Sequence, residues 1–160
     1  MISAKELADA FERNVQIIKR QCDGLTHEES LRQTPFHINS MNWVLGHIVD
    51  NRDNVLKLLG AAPAFGEEGA RYRRNSEPVT GEGEGVLKIE RLLAILDQGQ
   101  VDISASLRSA NSALLSNEVE AFGHKQSVGS WLFFLYFHDS YHTGQTDLLR
   151  QVAGKNDKII

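Results

Sequence analysis

Residues 127–152 read SVGSWLFFLYFHDSYHTGQTDLLRQV. Side chains along this stretch form a seam in alternating steps of four and three, the spacing of a helix that packs in a bundle. The predicted seam comprises Trp131, Leu135, His138, His142, Gln145, Leu149 and Val152. Its centre is polar where a packed helix needs apolar side chains. The stretch therefore predicts a bundle helix with a chemical site in its seam.

Three further segments show the same helical periodicity. We predict helices over residues 3–22, 40–59 and 86–111 in addition to 127–152. Ser3 and Glu6 have the spacing of a capping box, and Thr26 and Glu29 repeat it before a short helix. Gly24, Gly60 and Gly154 stand where helices end. The predicted core-facing positions are Leu7, Phe11, Val15, Ile18 and Cys22; Val44, His47, Ile48, Asn51, Val55 and Leu58; and Ile89, Leu93, Leu96, Gln100, Ile103, Leu107 and Ala110.

No segment alternates in the manner of a strand, so the predicted fold class is all-α, a four-helix bundle in one domain over residues 1–160. Two long connections remain. Residues 61–85, rich in Gly and Pro, form a crossover between the second and third long helices that we expect to cover part of one end of the bundle. A connection of this length is usually functional or disordered. Residues 112–126 form the other connection.

Composition narrows the class of protein. Hydrophobic residues make up 41% of the 160 residues, charged residues 24%, and the formal net charge is −4. This balance argues against nucleic acid as the main partner, because phosphate binding needs clustered basic residues. The single Cys22 precludes a disulfide within the chain and fits a reducing cytoplasm. We see no signal peptide, and the longest apolar run, residues 131–137, is too short to span a membrane.

Three histidines lie on predicted core-facing positions. His138 and His142 are one helical turn apart and project from the same side of one helix, and His47 occupies a comparable position on another. Three neutral imidazoles with one open position are typical of a catalytic zinc site, and imidazole also suits nickel, copper or iron. Gln145, Asn51 and Gln100 could hold the outer ring nitrogens or a metal-bound water. Gly46 and Gly144 flank the ligands and could let the helices approach closely. The alternative is a set of ordinary hydrogen-bonded histidines, since the H-x-x-x-H spacing also occurs by chance.

Two motifs carry a resemblance to a known family. WVLGH at residues 43–47 and HDSYHTGQ at residues 138–145 resemble the W-x-x-x-H and H-x-x-x-H-x-G-Q elements of the DinB-like family of bacterial metal-dependent proteins. The likeness extends from about residue 40 to residue 153. Many members have Glu after the first histidine of the second motif, where this chain has Asp139. That side chain points away from the ligand face, so it could serve a neighbouring helix or support the site.

The resemblance implies a four-helix bundle with a divalent metal ion on His47, His138 and His142. Zinc or nickel is expected first, with iron or manganese as alternatives. It also implies a homodimer, and some members transfer small thiols such as bacillithiol or mycothiol or are thiol-dependent isomerases.

Several other residues are candidates for a role. His37 could reach the open position or act as a base, although an ordinary loop histidine is the favoured interpretation, and Asp50 and Asp139 are further candidate bases. Arg71, Arg73 and Arg74 could bind a substrate carboxylate or simply form a solvated charge run. We expect His27 to be exposed and Cys22 to be a small buried hydrophobe, and His124 has no assigned role. Residues 131–137 could line a pocket above the metal, or belong to the core and a dimer face.

Two functions are consistent with the sequence. The first is an enzyme whose metal activates a water or a thiol for transfer to, or hydrolysis of, a small molecule. The second is a non-catalytic dimeric stress-response or binding protein in which the metal or histidine cluster is structural. A protein ligand filling the fourth position would favour the second, and an open position in a pocket would favour the first.

Overall fold

The structure is a computed structural model that describes residues 3–34, 38–121 and 123–157. His37 therefore lies outside the described residues. The elements are α1 (Ala4–Cys22), α2 (His27–Ser30), α3 (Met41–Leu58), a 3-10 helix (Gly66–Tyr72), α4 (Ile89–Ser109), α5 (Ser112–Ser116), strands β1 (Glu118–Ala121) and β2 (His124–Ser127), and α6 (Val128–Val152). No helix of the described ranges is both long and apolar enough to cross a bilayer.

The predicted helix starts are set by side-chain caps. Ser3, Ser40 and Ser127 each accept a backbone N–H from the first turn of α1, α3 and α6, which satisfies a donor that the helix cannot. The capping boxes at Ser3 and Thr26 are both formed. α4 begins at Ile89, later than predicted, and its N-cap residue provides no side-chain hydrogen bond.

The four long helices pack as a bundle, which confirms the predicted fold class. α1 and α3 each contact both α4 and α6. Two hydrophobic clusters form the core. One contains Phe11, Leu56, Leu107 and Leu132 towards one end of the bundle, and the other contains Ile18, Ile48, Leu96 and Leu149 towards the other end.

Between these clusters lies a buried polar layer, with one residue from each long helix. We define it as Asn14 of α1, Arg52 of α3, Gln100 of α4 and Asp139 of α6, all of them buried. Arg52 donates from Nε to Asp139 Oδ2 at 2.7 Å and from Nη1 to Gln100 Oε1 at 2.9 Å. Asn14 Nδ2 donates to Asp139 Oδ1 at 2.7 Å. The layer joins all four helices at one level of the bundle.

The seam predicted for α6 is rotated relative to the one observed. The buried residues of this helix are Val128, Leu132, Leu135, Asp139, Thr143, Thr146, Leu149 and Arg150. Only Leu135 and Leu149 belong to both sets. Polar residues occupy the true core face because their groups are satisfied: the Thr143 hydroxyl donates to the Asp139 carbonyl oxygen at 2.8 Å, for example. His138 and His142 consequently lie at the edge of the core rather than in its centre.

The prediction that the chain has no strands was wrong. β1 and β2 pair as an antiparallel hairpin, with Ala121 opposite His124. Gly123 in the turn has φ of +75°, a value common in tight hairpins. β1 alternates charged and apolar side chains but over only four residues, and β2 is entirely polar, so the alternation is too short to mark the hairpin in the sequence.

The crossover after α3 packs on the bundle, as expected. Phe65, Tyr72 and Val79 are buried in the cluster that contains Ile48. The Tyr72 hydroxyl donates to Asn42 Oδ1 at 3.0 Å and accepts the N–H of Leu87 at 2.8 Å. The connection is therefore fixed against α3 through an apolar ring and a polar bridge.

Candidate metal centre

Three imidazoles converge between α3 and α6. His138 Nε2 and His142 Nε2 are 3.2 Å apart, and the ring of His47 lies 5.2 Å and 5.0 Å from those two rings. One ring nitrogen from each of the three residues can be chosen so that all lie within 4.8 Å of one another. The spacing in sequence predicted this convergence, and the packing of α3 on α6 produces it.

Oxygen acceptors hold the outer nitrogens of two of the rings. His47 Nδ1 is 2.8 Å from the Tyr72 carbonyl oxygen, and His142 Nδ1 is 2.7 Å from Gln145 Oε1. Each oxygen can accept only if Nδ1 carries the proton, which leaves Nε2 with a lone pair. Bonds of this kind orient metal-binding histidines and select their tautomer.

Of the three residues predicted to support the histidines, two contact them and one does not. Gln145 makes the expected contact, and Asn51 Nδ2 lies 3.2 Å from His47 Nε2 while donating to the His47 carbonyl oxygen at 2.9 Å. Gln100 takes no part, because it belongs to the buried polar layer. Tyr72 was missed, since a backbone carbonyl far along the chain leaves no signal in the sequence.

Burial keeps the three rings neutral. It lowers the pKa of His47 and of His142 and, together with the neighbouring His142 and His47, lowers the pKa of His138 to about 4. Neutral imidazole is the form that binds a metal ion. The site is thus ready to coordinate at neutral pH without first losing protons.

The residues fit a divalent metal ion. Two nitrogens bound at ~2.1 Å to a tetrahedral zinc ion are about 3.4 Å apart, close to the 3.2 Å between His138 Nε2 and His142 Nε2. At that distance only one of the two nitrogens can carry a proton, and Asn51 Nδ2 can donate to His47 Nε2 at 3.2 Å, so the unsatisfied nitrogen found in the described part of the cluster belongs to His138. His138 Nδ1 is buried and has no hydrogen-bond partner among the described residues. A histidine cluster with these features could hold a metal ion.

Trp43 and Gly46 shape the wall behind His47. The Trp43 ring stacks on the His47 ring at 4.7 Å, and its Nε1 donates to Ser76 Oγ at 2.9 Å. A Cβ atom on Gly46 would lie 2.2 Å from the ring of Tyr72, so only glycine fits there. Gly46 admits the crossover rather than another helix, whereas Gly144 faces open space.

Comparison with known proteins identifies the family. The model of the DinB superfamily matches residues 10–146. The chain belongs to the DinB superfamily. Among solved structures, it is similar to a conserved protein from Enterococcus faecalis with a TM-score of 0.75 and 14% identity, over 97% of this chain and 100% of that one. At that identity the likeness concerns the fold alone. No curated protein matches significantly.

Asp139, which replaces the Glu of many DinB-like proteins, contacts neighbouring helices. It lies in the buried polar layer beside Arg52 and Asn14. Of the two roles that the sequence left open, the structural one is confirmed. Its charge nevertheless stabilises the protonated forms of His138 and His142 slightly, against the effect of burial.

The remaining candidate residues lie outside the histidine cluster. Cys22 is buried, which raises the pKa of its thiol to about 12 and agrees with a small hydrophobe. Burial also raises the pKa of Asp50, whose Oδ1 is 3.9 Å from Arg73 Nε. The expectation that His27 is exposed was wrong: the side chain is buried, and its Nδ1 accepts the N–H of Ile89 at 3.3 Å, at the start of α4. His124 is exposed on β2.

The three arginines of the crossover differ from one another. Arg71 donates to the carbonyl oxygens of Glu77 and Pro78 and thus holds the loop. Arg73 pairs with Glu67 at 3.3 Å. Arg74 is exposed, and its charge helps to lower the pKa of His47 and His138, which places it near the cluster.

A cleft opens beside His142. It has a volume of about 240 Å³ and is lined by Ile38, Asn39, Trp43, Val44, His142, Gln145, Leu148 and Leu149. Its walls are mostly apolar, with the imidazole of His142 and the Gln145 amide as polar groups. A small molecule in this cleft would lie next to a histidine of the cluster.

Proposed function

We propose that this protein is a metalloenzyme that holds one divalent ion on His47, His138 and His142. It would use the ion for thiol transfer or hydrolysis on a small-molecule substrate. One observation carries the proposal: three neutral imidazoles converge with nitrogens close enough to share one ion. Zinc or nickel suits such a ligand set best, and iron or manganese is possible.

The ion, when bound, would lower the pKa of a coordinated water or thiol and so supply a nucleophile near neutral pH. The residues of the chain position that chemistry. The Tyr72 carbonyl and Gln145 fix two of the rings, and the stacked Trp43 excludes water from one side of His47. The cleft beside His142 would receive an apolar part of the substrate. We also propose a small thiol as co-substrate and a cytoplasmic location, which suits the lone Cys22.

A structural metal is the alternative. Three observations favour the enzyme. No fourth His, Cys, Asp or Glu joins the cluster in the ranges that the structure describes, and a cleft reaches His142. In addition, the buried polar layer and two apolar clusters already join the four helices without the histidines.

Metal content tests the proposal. Protein purified without a histidine tag is analysed by elemental mass spectrometry as wild type, His142→Ala and His124→Ala. We expect about one ion per chain in the wild type and in His124→Ala, because His124 is exposed on the hairpin, and none in His142→Ala. Metal-free wild type, even after incubation with zinc and nickel, would refute the metalloenzyme.

Catalysis requires a second measurement. The metal-loaded wild type is assayed for consumption of electrophiles such as alkyl halides and epoxides with small thiols, and for hydrolysis of esters and amides. Turnover that disappears in metal-loaded Trp43→Ala or Gln145→Ala, which keep all three histidines, would support the enzyme. A fully loaded protein without turnover, whose unfolding midpoint falls steeply with chelator, would instead support the structural role.

A further inference from the structure

Arg74 is the arginine of the crossover that the fold does not use. Arg71 donates to two carbonyl oxygens of the same loop, and Arg73 pairs with Glu67 at 3.3 Å. Arg74 is exposed and has neither a hydrogen bond nor an ion pair within the described residues. Its guanidinium therefore keeps its five N–H donors for water or for a ligand.

The segment that carries Arg74 is fixed to the histidine cluster on both sides. Two residues before Arg74, the Tyr72 carbonyl oxygen lies 2.8 Å from His47 Nδ1. Two residues after it, Ser76 Oγ accepts the indole N–H of Trp43 at 2.9 Å, and the Trp43 ring stacks on that of His47. Because both contacts end on His47 or on the ring stacked against it, the backbone at Arg74 is held beside the cluster.

A tight turn places Arg74 at the corner of this segment. The N–H of Ser76 donates to the Arg73 carbonyl oxygen at 3.0 Å, which closes the turn. Asn75 has φ of +67°, in the left-handed region that asparagine tolerates better than most residues. Burial is the main cause of the lowered pKa of two rings in the cluster, and the charge of Arg74 adds to it. The guanidinium thus lies within electrostatic reach of the histidines.

The charge of the cluster indicates what a free arginine beside it can bind. The three imidazoles are neutral, and no Asp or Glu of the described residues joins them, so a divalent ion held there would keep its full charge. The nearby Asp139 carboxylate is already paired with Arg52. A guanidinium next to such an ion repels it and weakens its binding. An anionic ligand that contacts both cationic groups would turn this repulsion into attraction on two sides.

We propose that Arg74 is a specificity-determining residue that binds a carboxylate group of the substrate beside the histidine cluster. This inference rests on the proposed function and names the substrate class: a small molecule with one carboxylate in addition to its thiol or electrophilic group. A guanidinium binds a carboxylate through two parallel hydrogen bonds. A single arginine matches the single charge of a carboxylate, whereas a phosphate dianion usually draws on further cationic or backbone donors.

The cleft beside His142 belongs to the same surface. Trp43 lines that cleft, and its indole N–H holds the turn through Ser76. A substrate with its apolar part in the cleft would therefore pass the indole ring on the way to Arg74. The surface suits an amphipathic acid.

Thiol binding to the cobalt-loaded protein tests the proposal. Cobalt takes the ligands that zinc takes, and its visible absorption changes when a thiolate coordinates. The probes are mercaptopropionate and mercaptopropanol, which have the same length and differ in the carboxylate. Both are titrated into wild type, Arg74→Gln, Arg74→Lys and Arg108→Gln. Arg108→Gln is the matched control, because Arg108 is exposed and pairs with Asp9, on the two helices that do not carry the histidines.

The measured quantity is the preference of each protein for mercaptopropionate over mercaptopropanol. We expect this preference to be about tenfold greater in wild type than in Arg74→Gln. Arg108→Gln changes the net charge equally and should keep the wild-type preference, and Arg74→Lys should keep part of it. Chelation by the probe and the acidity of its thiol are the same in every protein, so they cancel. Folding should be unaffected, since the Arg74 side chain is exposed and unpaired within the described residues.

Metal affinity provides a readout that needs no substrate. Competition with a chromophoric chelator at low ionic strength should show that Arg74→Gln binds cobalt about two- to threefold more tightly than wild type, because a repelling charge is removed. Arg108→Gln should bind cobalt as wild type does.

Three outcomes would overturn the proposal in different ways. An equal preference for mercaptopropionate in wild type and Arg74→Gln would overturn it and leave the metal site intact. A wild type that binds no cobalt would overturn the metalloenzyme and this proposal with it. Displacement of mercaptopropionate by inorganic phosphate but not by acetate, in wild type and not in Arg74→Gln, would make the ligand of Arg74 a phosphate rather than a carboxylate.

Discussion

Two polar clusters interrupt the same bundle, and they differ in how their groups are satisfied. In the buried polar layer, Arg52 meets Asp139, Gln100 and the Phe11 carbonyl oxygen, so donors and acceptors match. In the histidine cluster, His138 Nε2 and His142 Nε2 face each other with room for one proton between them, and His138 Nδ1 has no hydrogen-bond partner among the described residues. The neighbours His138 and Asp139 belong to different clusters because consecutive helical side chains point about 100° apart.

This difference in hydrogen-bond satisfaction distinguishes a cluster that stabilises the fold from one that can bind a ligand. A polar group that is satisfied within the chain has no capacity left for a ligand, however polar its type. Neutral imidazoles that share protons only with one another or with an amide keep lone pairs that a cation can bind. The buried polar layer therefore stabilises the packing of the helices, whereas the histidine cluster can bind a ligand.

Breaking the polar layer should have the largest effect on stability. Arg52→Leu leaves the Asp139 carboxylate buried without its charge partner, and we expect a loss of about 3–5 kcal/mol in the free energy of unfolding measured with urea. The double variant Arg52→Leu/Asp139→Leu should recover much of this loss. Arg108→Leu removes an exposed ion pair with Asp9 and should cost less than ~1 kcal/mol. Equal losses for Arg52 and Arg108 would contradict the role given to the layer.

Loosening one histidine should change metal binding more than stability. Gln145→Ala removes the acceptor at His142 Nδ1, and we expect metal affinity to fall about 10–100-fold. Competition with a chromophoric chelator measures the affinity, and urea unfolding of the metal-free protein should change by less than ~1 kcal/mol. Gln151→Ala, also on α6 but exposed and far from the rings, is the control. An unchanged affinity in Gln145→Ala would remove Gln145 from the site.

Removing the metal should affect the fold only modestly. Because the two apolar clusters and the polar layer persist without an ion, we expect chelation to lower the thermal midpoint by a few degrees, roughly the effect of 1–2 kcal/mol in a chain this size. Differential scanning fluorimetry with and without chelator provides the measurement. Unfolding at room temperature on chelation would make the metal structural.

Acid should destabilise the metal-free protein through the histidines. The pKa of His138 is about 4 in the fold against 6.5 when unperturbed, so between these values the unfolded chain binds the proton more readily. This contribution is fully present above pH 6.5 and is lost as the pH falls towards 4. His138→Gln should flatten the decline by about 2 kcal/mol between pH 6.5 and 4.5, measured by urea unfolding. Parallel pH profiles for the two proteins would show that folding does not lower the pKa of His138.

Local signals explain what the sequence could predict. Ser3, Ser40 and Ser127 mark helix starts through bonds within one turn, and the spacing of His138 and His142 fixes their shared side. The burial of α6 was harder to predict, because Asp139 reaches the core only through Arg52, 87 positions away. The Tyr72 carbonyl and the burial of His27 likewise depend on tertiary partners that no local pattern shows, whereas the hairpin is a local structure whose strands are too short for a clear pattern.

Tyr72 makes the histidine site hard to transplant. Its ring occupies space that is free only because residue 46 is glycine. Its carbonyl oxygen orients the His47 ring, and its hydroxyl links Asn42 to the backbone N–H of Leu87 before α4. Copying three histidines onto a generic helical bundle would reproduce the ligands but leave one ring free to rotate. A designer who wishes to graft this site must therefore carry the crossover and the glycine beneath it together with the histidines.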